Sequence, residues 1–260
     1  MKLIFKSADY ALTRSVMYGT LQGCRDGMIS CTGLMTNFPW SKHAADLIKE
    51  YPHVCLGQDI NITVGRPISD PKDIPSLVND DGSFVNSSVH RSNKVDQVVF
   101  EEAVLETEAQ VKKFIEYRGH IPEYMQSHAN NGSGKVIIQN AITFIAKKYG
   151  VKQYAKVREK LMYAPKIYDI PFPKEVQEKR SLEEDLINDR YGILNCGKDI
   201  VILNTHCGYV DKDIEACSSF TIVRADDLKA VCSDKVRKWM IANNIELASF
   251  RDIPSDDELD

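Results

Sequence analysis

The chain has 260 residues, 43% of them hydrophobic and 27% charged, with a formal net charge of −4, which is enough apolar material for one enzyme-sized α/β domain with a large core. Lysines and arginines are scattered among the acids instead of gathering on one stripe, which argues against a nucleic-acid partner. No apolar stretch reaches the ~18 residues that a membrane-spanning helix requires.

Taken in order, residues 2–8 read as a strand, 13–26 as a helix with Val16, Met17, Thr20 and Leu21 at helical spacing, and 28–35 as a second strand. A short helix led by Ser41 covers 41–50, and a third strand covers 54–62. The opening is therefore βαβαβ. Residues 64–95 break the rhythm with Gly65, Pro67, Pro71, Pro75 and Gly82 among Ser, Asn and Asp; a connection this long is expected to be a lid or binding loop. The spacing predicts the longest helix over 96–118, with Val99, Phe100, Ala103, Val104, Val111, Phe114 and Ile115 on one stripe and Gly119 as its stop. Pro122 opens a strand that runs to His128.

A helix over 135–149 ends at Gly150 and is followed by a strand at 151–157. Residues 158–196 form a second insertion, irregular around Pro165, Pro171 and Pro173, then a charged helix near 174–189. Residues 199–205 read as a buried strand ending at His206, and the tail adds helices near 225–231 and 233–243 and a last strand at 245–249. Strands alternating with helices specify a parallel sheet. The expected fold is α/β, a deformed or partial TIM-like (β/α) barrel, as a single domain over 1–260.

The seven cysteines are dispersed and form no C-x-x-C pair, so reduced thiols are expected, not a disulfide framework or a zinc ribbon. Met1 runs directly into a strand-like segment, which leaves no room for a secretory leader. A soluble cytoplasmic protein with no membrane partner is the expectation.

Three apolar, strand-like runs each close on a residue able to hold a metal: Leu3 to Asp9, Val54 to Asp59 and Tyr124 to His128. Neighbouring parallel strands would bring Asp9, Asp59 and His128 to one end of a sheet, where open α/β and barrel folds carry their chemistry. Taken singly, each has a plainer explanation as a turn cap or a hydrogen-bonded core histidine. The coincidence of all three favours a divalent-metal site with open positions.

Ser7-Ala8-Asp9-Tyr10-Ala11-Leu12-Thr13, Gly57-Gln58-Asp59-Ile60-Asn61-Ile62-Thr63, Pro122 to Asn130, Ser76 to Phe84, Asn204 to Asp211 and Arg224 to Leu228 follow one another as a set of motifs along nearly the whole chain. In this order they resemble the YdjC/ChbG (HpnK) family of carbohydrate deacetylases, whose corresponding motifs are A-D-D-F-G-L-S, G-x-H-x-x-L-T and P-x-x-x-D-S-H-x-H. The resemblance implies a deformed (β/α) barrel, a homodimer, and removal of an N-acetyl group from an amino sugar with one divalent metal. It places the metal on Asp9, Asp59 (where the family has His) and His128. A carboxylate in place of an imidazole shifts preference toward Mg²⁺ or Mn²⁺, with Zn²⁺ still compatible.

The departures from the family bear on acid–base chemistry. Its first motif Asp is Ala8 here, the Asp before Ser-His is Gln126, and the second His of H-x-H is Asn130. Asn and Gln hydrogen-bond a sugar but do no acid–base work near pH 7. The resemblance leaves His206, oriented by Asp211, and Asp59 as the catalytic candidates, with Asn61, Gln126, Asn130 and Tyr209 for substrate binding. His43, His53, His90 and His120 are assigned to solvent, Asp226-Asp227 and Glu183-Glu184-Asp185 to solvated helix faces, and a Cys207–His206 nucleophile is disfavoured because adjacent strand residues point apart.

Two functions compete. One is a metal-dependent hydrolase acting on an acylated amino sugar, with diverged acid–base residues. The alternative is a non-hydrolytic sugar-binding pseudoenzyme, or an enzyme of changed reaction type on the same fold. Persistence of ligand-capable residues at all three metal positions favours the hydrolase.

Overall fold

The computed structural model describes residues 1–92, 97–129, 134–168 and 172–254. Its strands are β1 (Lys2–Tyr10), β2 (Cys31–Leu34), β3 (Cys55–Ile60), β4 (Tyr124–Ser127), β5 (Lys152–Gln153), β6 (Met162–Tyr163), β7 (Ile200–Thr205) and β8 (Glu246–Leu247). Its α-helices are α1 (Arg14–Arg25), α2 (Ser41–Leu47), α3 (Ser87–Ser92), α4 (Phe100–Arg118), α5 (Lys135–Tyr149), α6 (Tyr154–Leu161), α7 (Lys174–Gln177), α8 (Leu182–Ile187), α9 (Lys212–Cys217), α10 (Ile222–Val231) and α11 (Asp234–Ala242). The strand order is β5-β4-β3-β2-β1-β7-β6, with β8 beside β1. The β1–β7, β3–β4, β4–β5 and β6–β7 pairs all run parallel. The fold is α/β, of the partial (β/α)-barrel kind.

Packing gathers the chain into two compact units, one of Met1–Thr32, Ile48–Cys55 and Ala155–Asp260, the other of Gly33–Leu47 and Leu56–Tyr154. In the first, β1 and β7 pair from Lys2 opposite Ile200 to Ser7 opposite Thr205. Leu3, Ile4, Phe5, Val201, Ile202 and Leu203 are buried, the continuous apolar run expected of strands covered on both faces. Thr13 caps α1 by accepting from the Val16 amide. The helix then packs tightly on the segment after β7. A Cβ at Gly19 would lie 2.5 Å from the Gly208 Cα, so only glycine permits this approach, and the Thr20 hydroxyl donates to the Cys207 carbonyl at 3.1 Å.

In the second unit, β3 and β4 pair with Asp59 opposite Gln126. Ile60, Ile62, Leu77, Phe84, Val111, Ile142 and Ile145 belong to its core. α4 ends at Gly119 and α5 at Gly150, both left-handed, as C-terminal helix stops commonly are. The 64–95 connection is tied to α4 by carboxylates: Glu106 accepts from the Ile68 and Ser69 amides and Glu102 from the Ser76 amide. Burial raises the Glu106 carboxyl above its ordinary range, against the pull of those hydrogen bonds.

Two elements differ from expectation. The strand expected over 151–157 is only Lys152–Gln153, after which α6 begins; Ala155, Arg158, Glu159, Lys160 and Leu161 are good helix formers and win over the short alternation at Val151 and Gln153. The charged helix expected over 174–189 is split into α7 and α8 because Ser181 caps a new helix start, accepting from the Glu184 amide.

Candidate metal centre

β1 ends in strained backbone. Asp9 and Ala11 have φ of 66° and 77°, a region that costs non-glycine residues of order 1–3 kcal/mol and that collects at functional sites. Asp9 is buried there, and its Oδ2 accepts from Nη2 of the equally buried Arg224 at 2.8 Å. Arg224 itself is anchored by Nε donating to the Phe220 carbonyl at 2.8 Å. Asp59, fully buried, is the penultimate residue of β3. His128 follows the end of β4, and its amide donates to the Ile60 carbonyl at 2.8 Å. Asp9, Asp59 and His128 each offer one ligand atom, and these atoms lie within 4.8 Å of one another.

The donor set suits a divalent cation. Two carboxylates and an imidazole supply three ligands and leave positions for water or substrate. Room is kept beside Asp59 by Gly33 of β2, where an added Cβ would lie 3.0 Å from the Asp59 Cβ and 3.3 Å from Gln126 Nε2. Arg224 holds only one oxygen of Asp9, and a carboxylate can serve a cation and a guanidinium together, one oxygen each.

His206 follows the last residue of β7. Its amide donates to Asp227 Oδ2 at 2.8 Å, and its Nδ1 lies 3.1 Å from the Tyr168 hydroxyl. That hydroxyl donates to Asp227 Oδ2 in a short hydrogen bond. Arg180 Nη1 donates to Asp227 Oδ1 at 2.7 Å and to Asp226 Oδ2 at 2.8 Å. Burial pushes the His206 imidazole down to about 4, only partly opposed by Asp9, so it is neutral at pH 7. Lys6, buried on β1, donates to Asn204 Oδ1 at 2.5 Å.

Several expectations are corrected. Asp211 does not orient His206; it caps α9 by accepting from the Ile214 amide. Asp226 and Asp227 are not on a solvated face: Asp227 is fully buried and Asp226 is paired with Arg180. Glu183 is likewise buried and accepts from the Ser233 hydroxyl. Of the four histidines assigned to solvent only His90 is buried; His43, His53 and His120 are exposed, His53 Nε2 lying 3.1 Å from the Cys24 carbonyl. Arg224, Asp227, Tyr168 and Lys6 are not among the site candidates read from the sequence. The first two lie in the closing Arg224 to Leu228 motif, which carried the signal; Tyr168 and Lys6 carried none.

Of the substrate-binding candidates, Gln126 is nearly buried and its side chain makes no hydrogen bond among the described residues. The Asn61 amide is engaged inside the protein: Nδ2 donates to Asn37 Oδ1 and the Val64 carbonyl, and Oδ1 accepts from the Thr63 and Val64 amides. Tyr209 is exposed, its hydroxyl donating to Gln22 Oε1 at 2.7 Å. Asn130 lies outside the described residues. Burial pushes the Cys207 thiol far up, which keeps it protonated and unreactive. All seven cysteines are free.

Parallel strands whose ends gather two carboxylates and an imidazole define an α/β protein of partial-barrel class with a candidate metal centre. The chain belongs to the YdjC-like protein family, whose profile matches residues 2–242. It is 29% identical over 254 residues to carbohydrate deacetylase 2 of Listeria innocua, covering 98% of this chain and 99% of that one. It is 25% identical to the carbohydrate deacetylase of Clostridium beijerinckii, covering 97% and 100%. A crystal structure from Enterococcus faecalis, of a protein assigned to cellobiose-phosphate cleavage, shares the fold with a TM-score of 0.79 at 20% identity, covering 96% and 97%. No helix among the described residues is long and apolar enough to cross a membrane.

Proposed function

We propose that the protein is a divalent-metal-dependent hydrolase that removes an N-acetyl or related acyl group from an amino sugar or oligosaccharide. The observation that carries this reading is the cluster of Asp9, Asp59 and His128 ligand atoms within 4.8 Å, in a chain whose full-length relatives are named carbohydrate deacetylases. A divalent ion held by these residues would supply a more acidic water and polarise the acyl carbonyl. The oxygen-rich donors favour Mg²⁺ or Mn²⁺. Arg224 fixes the Asp9 carboxylate, Gln126 offers an amide for the sugar or acetamide, and His206 handles the proton.

A non-hydrolytic sugar-binding role is the second reading, favoured by one residue: Ala8 stands where the family has a carboxylate, and a methyl group takes no proton. One experiment separates the two. Metal content is measured on purified protein, and acetate release from N-acetylated amino sugars is followed with Mn²⁺ and with EDTA. The hydrolase reading expects bound metal, EDTA-sensitive release, and loss of both in Asp9→Asn. Bound sugar with no acetate release, in the presence of bound metal, would leave only the second reading.

A further inference from the structure

The Asp227 carboxylate accepts three times: from Arg180 Nη1 on Oδ1, and from the His206 amide and the Tyr168 hydroxyl on Oδ2. A carboxylate paired with a guanidinium has no proton to give, so the one phenolic proton points to Asp227. Burial, with Asp227 beside it, raises the Tyr168 phenol well above its ordinary value, so that proton stays in place. The phenolic oxygen is left as an acceptor, 3.1 Å from His206 Nδ1. The only hydrogen that can lie between them is carried by Nδ1.

A neutral imidazole with its proton on Nδ1 has its lone pair on Nε2. His206 Nε2 has no hydrogen-bond partner among the described residues. The ring is held against rotation by edge contacts with Tyr168 at 5.2 Å and Phe220 at 5.1 Å between centroids. Ser7 and Thr205 are the last pair in the β1–β7 ladder, and the next residue on each chain is Ala8 and His206. Ala8, the position whose carboxylate is missing, and His206 are thus the first residues past the last β1–β7 pair.

We propose that Tyr168 is a positioning residue: backed by Asp227 and Arg180, it locks His206 in the Nδ1–H tautomer, so that Nε2 is the proton acceptor that Ala8 cannot be. In hydrolysis, a part that rests on the deacetylase reading, Nε2 takes the proton of the attacking water and returns it to the leaving amine as the C–N bond breaks. One imidazole then serves as base and as acid, with no net change in its protonation.

The test is ¹⁵N NMR of histidine-labelled, metal-free, full-length protein at pH 7.5, with the His206 signal assigned by its absence in His206→Gln. The expected wild-type spectrum shows a pyrrole-type Nδ1 and a pyridine-type Nε2; Tyr168→Phe shifts both toward the mixed values of free imidazole. A wild-type Nε2–H tautomer overturns the proposal without any variant, and so does an unchanged tautomer in a folded Tyr168→Phe. In turnover, Tyr168→Phe lowers kcat about tenfold with KM unchanged. If the wild type releases no acetate, the deacetylase reading fails while the tautomer still decides the role of Tyr168.

Discussion

Replacing Arg224 by Met removes one partner of a fully buried ion pair and keeps most of its bulk. Arg224 and Asp9 are 1% and 2% exposed, with 2.8 Å between Nη2 and Oδ2. The variant leaves Asp9 as a buried carboxylate without its guanidinium, and breaking such a pair from one side costs about 3–5 kcal/mol. With an unfolding entropy of ~2.1 cal/mol/K per residue over 260 residues, that corresponds to a fall in Tm of roughly 6–9 °C. The measurement is thermal unfolding in EDTA and again in saturating Mn²⁺. A divalent ion on Asp9 replaces part of the missing positive charge, so Mn²⁺ should raise the Tm of Arg224→Met more than that of the wild type. A fall under about 2 °C in EDTA would refute the claim that this pair is a buried, mutually compensating charge. Equal Mn²⁺-induced shifts in both proteins would refute the sharing of Asp9 between arginine and metal.

Gly19→Ala should destabilise the protein by about 2 kcal/mol or more despite the better helix propensity of alanine, because its Cβ would sit 2.5 Å from the Gly208 backbone; denaturant titration checks this, and a stabilised variant would contradict the close approach. The His206 imidazole lies near 4 when folded against 6.5 when unfolded, so the unfolded state binds the extra proton between those values. In metal-free buffer the wild type should therefore lose up to ~3 kcal/mol relative to His206→Gln as pH falls from 7 to 4, with no difference in slope above pH 7. Asn61→Ala should cost roughly 1–3 kcal/mol by stranding the buried Thr63 amide and the half-buried Val64 amide; a raised KM at unchanged Tm would instead make Asn61 a substrate contact. Ala8→Asp should raise acetate release from N-acetylated sugars in metal-loaded protein, and no gain with metal bound would count against a simple degraded deacetylase.

What the sequence alone determined is the part of the protein written in local patterns. The alternation of apolar runs and helical stripes fixed β1, α1, β3, α4, α5 and β7 to within a few residues, since burial on both faces of a strand and on one stripe of a helix each leave a period that neighbours along the chain display. The metal-capable residues at three strand ends were legible for the same reason: β1, β3 and β4 each announce where they stop. Tertiary structure decided whatever depends on residues far apart in the chain. Arg224 reaches Asp9 across 215 positions and Tyr168 reaches Asp227 across 59, and no local period encodes such meetings. The Asp226-Asp227 pair looked like a solvated helix start because charge runs usually are; only packing against Arg180 and Tyr168 makes Asp227 the buried acceptor that governs His206. Asp211, near His206 in sequence, was diverted to cap α9 because the helix that begins at the very next residue has amides to satisfy.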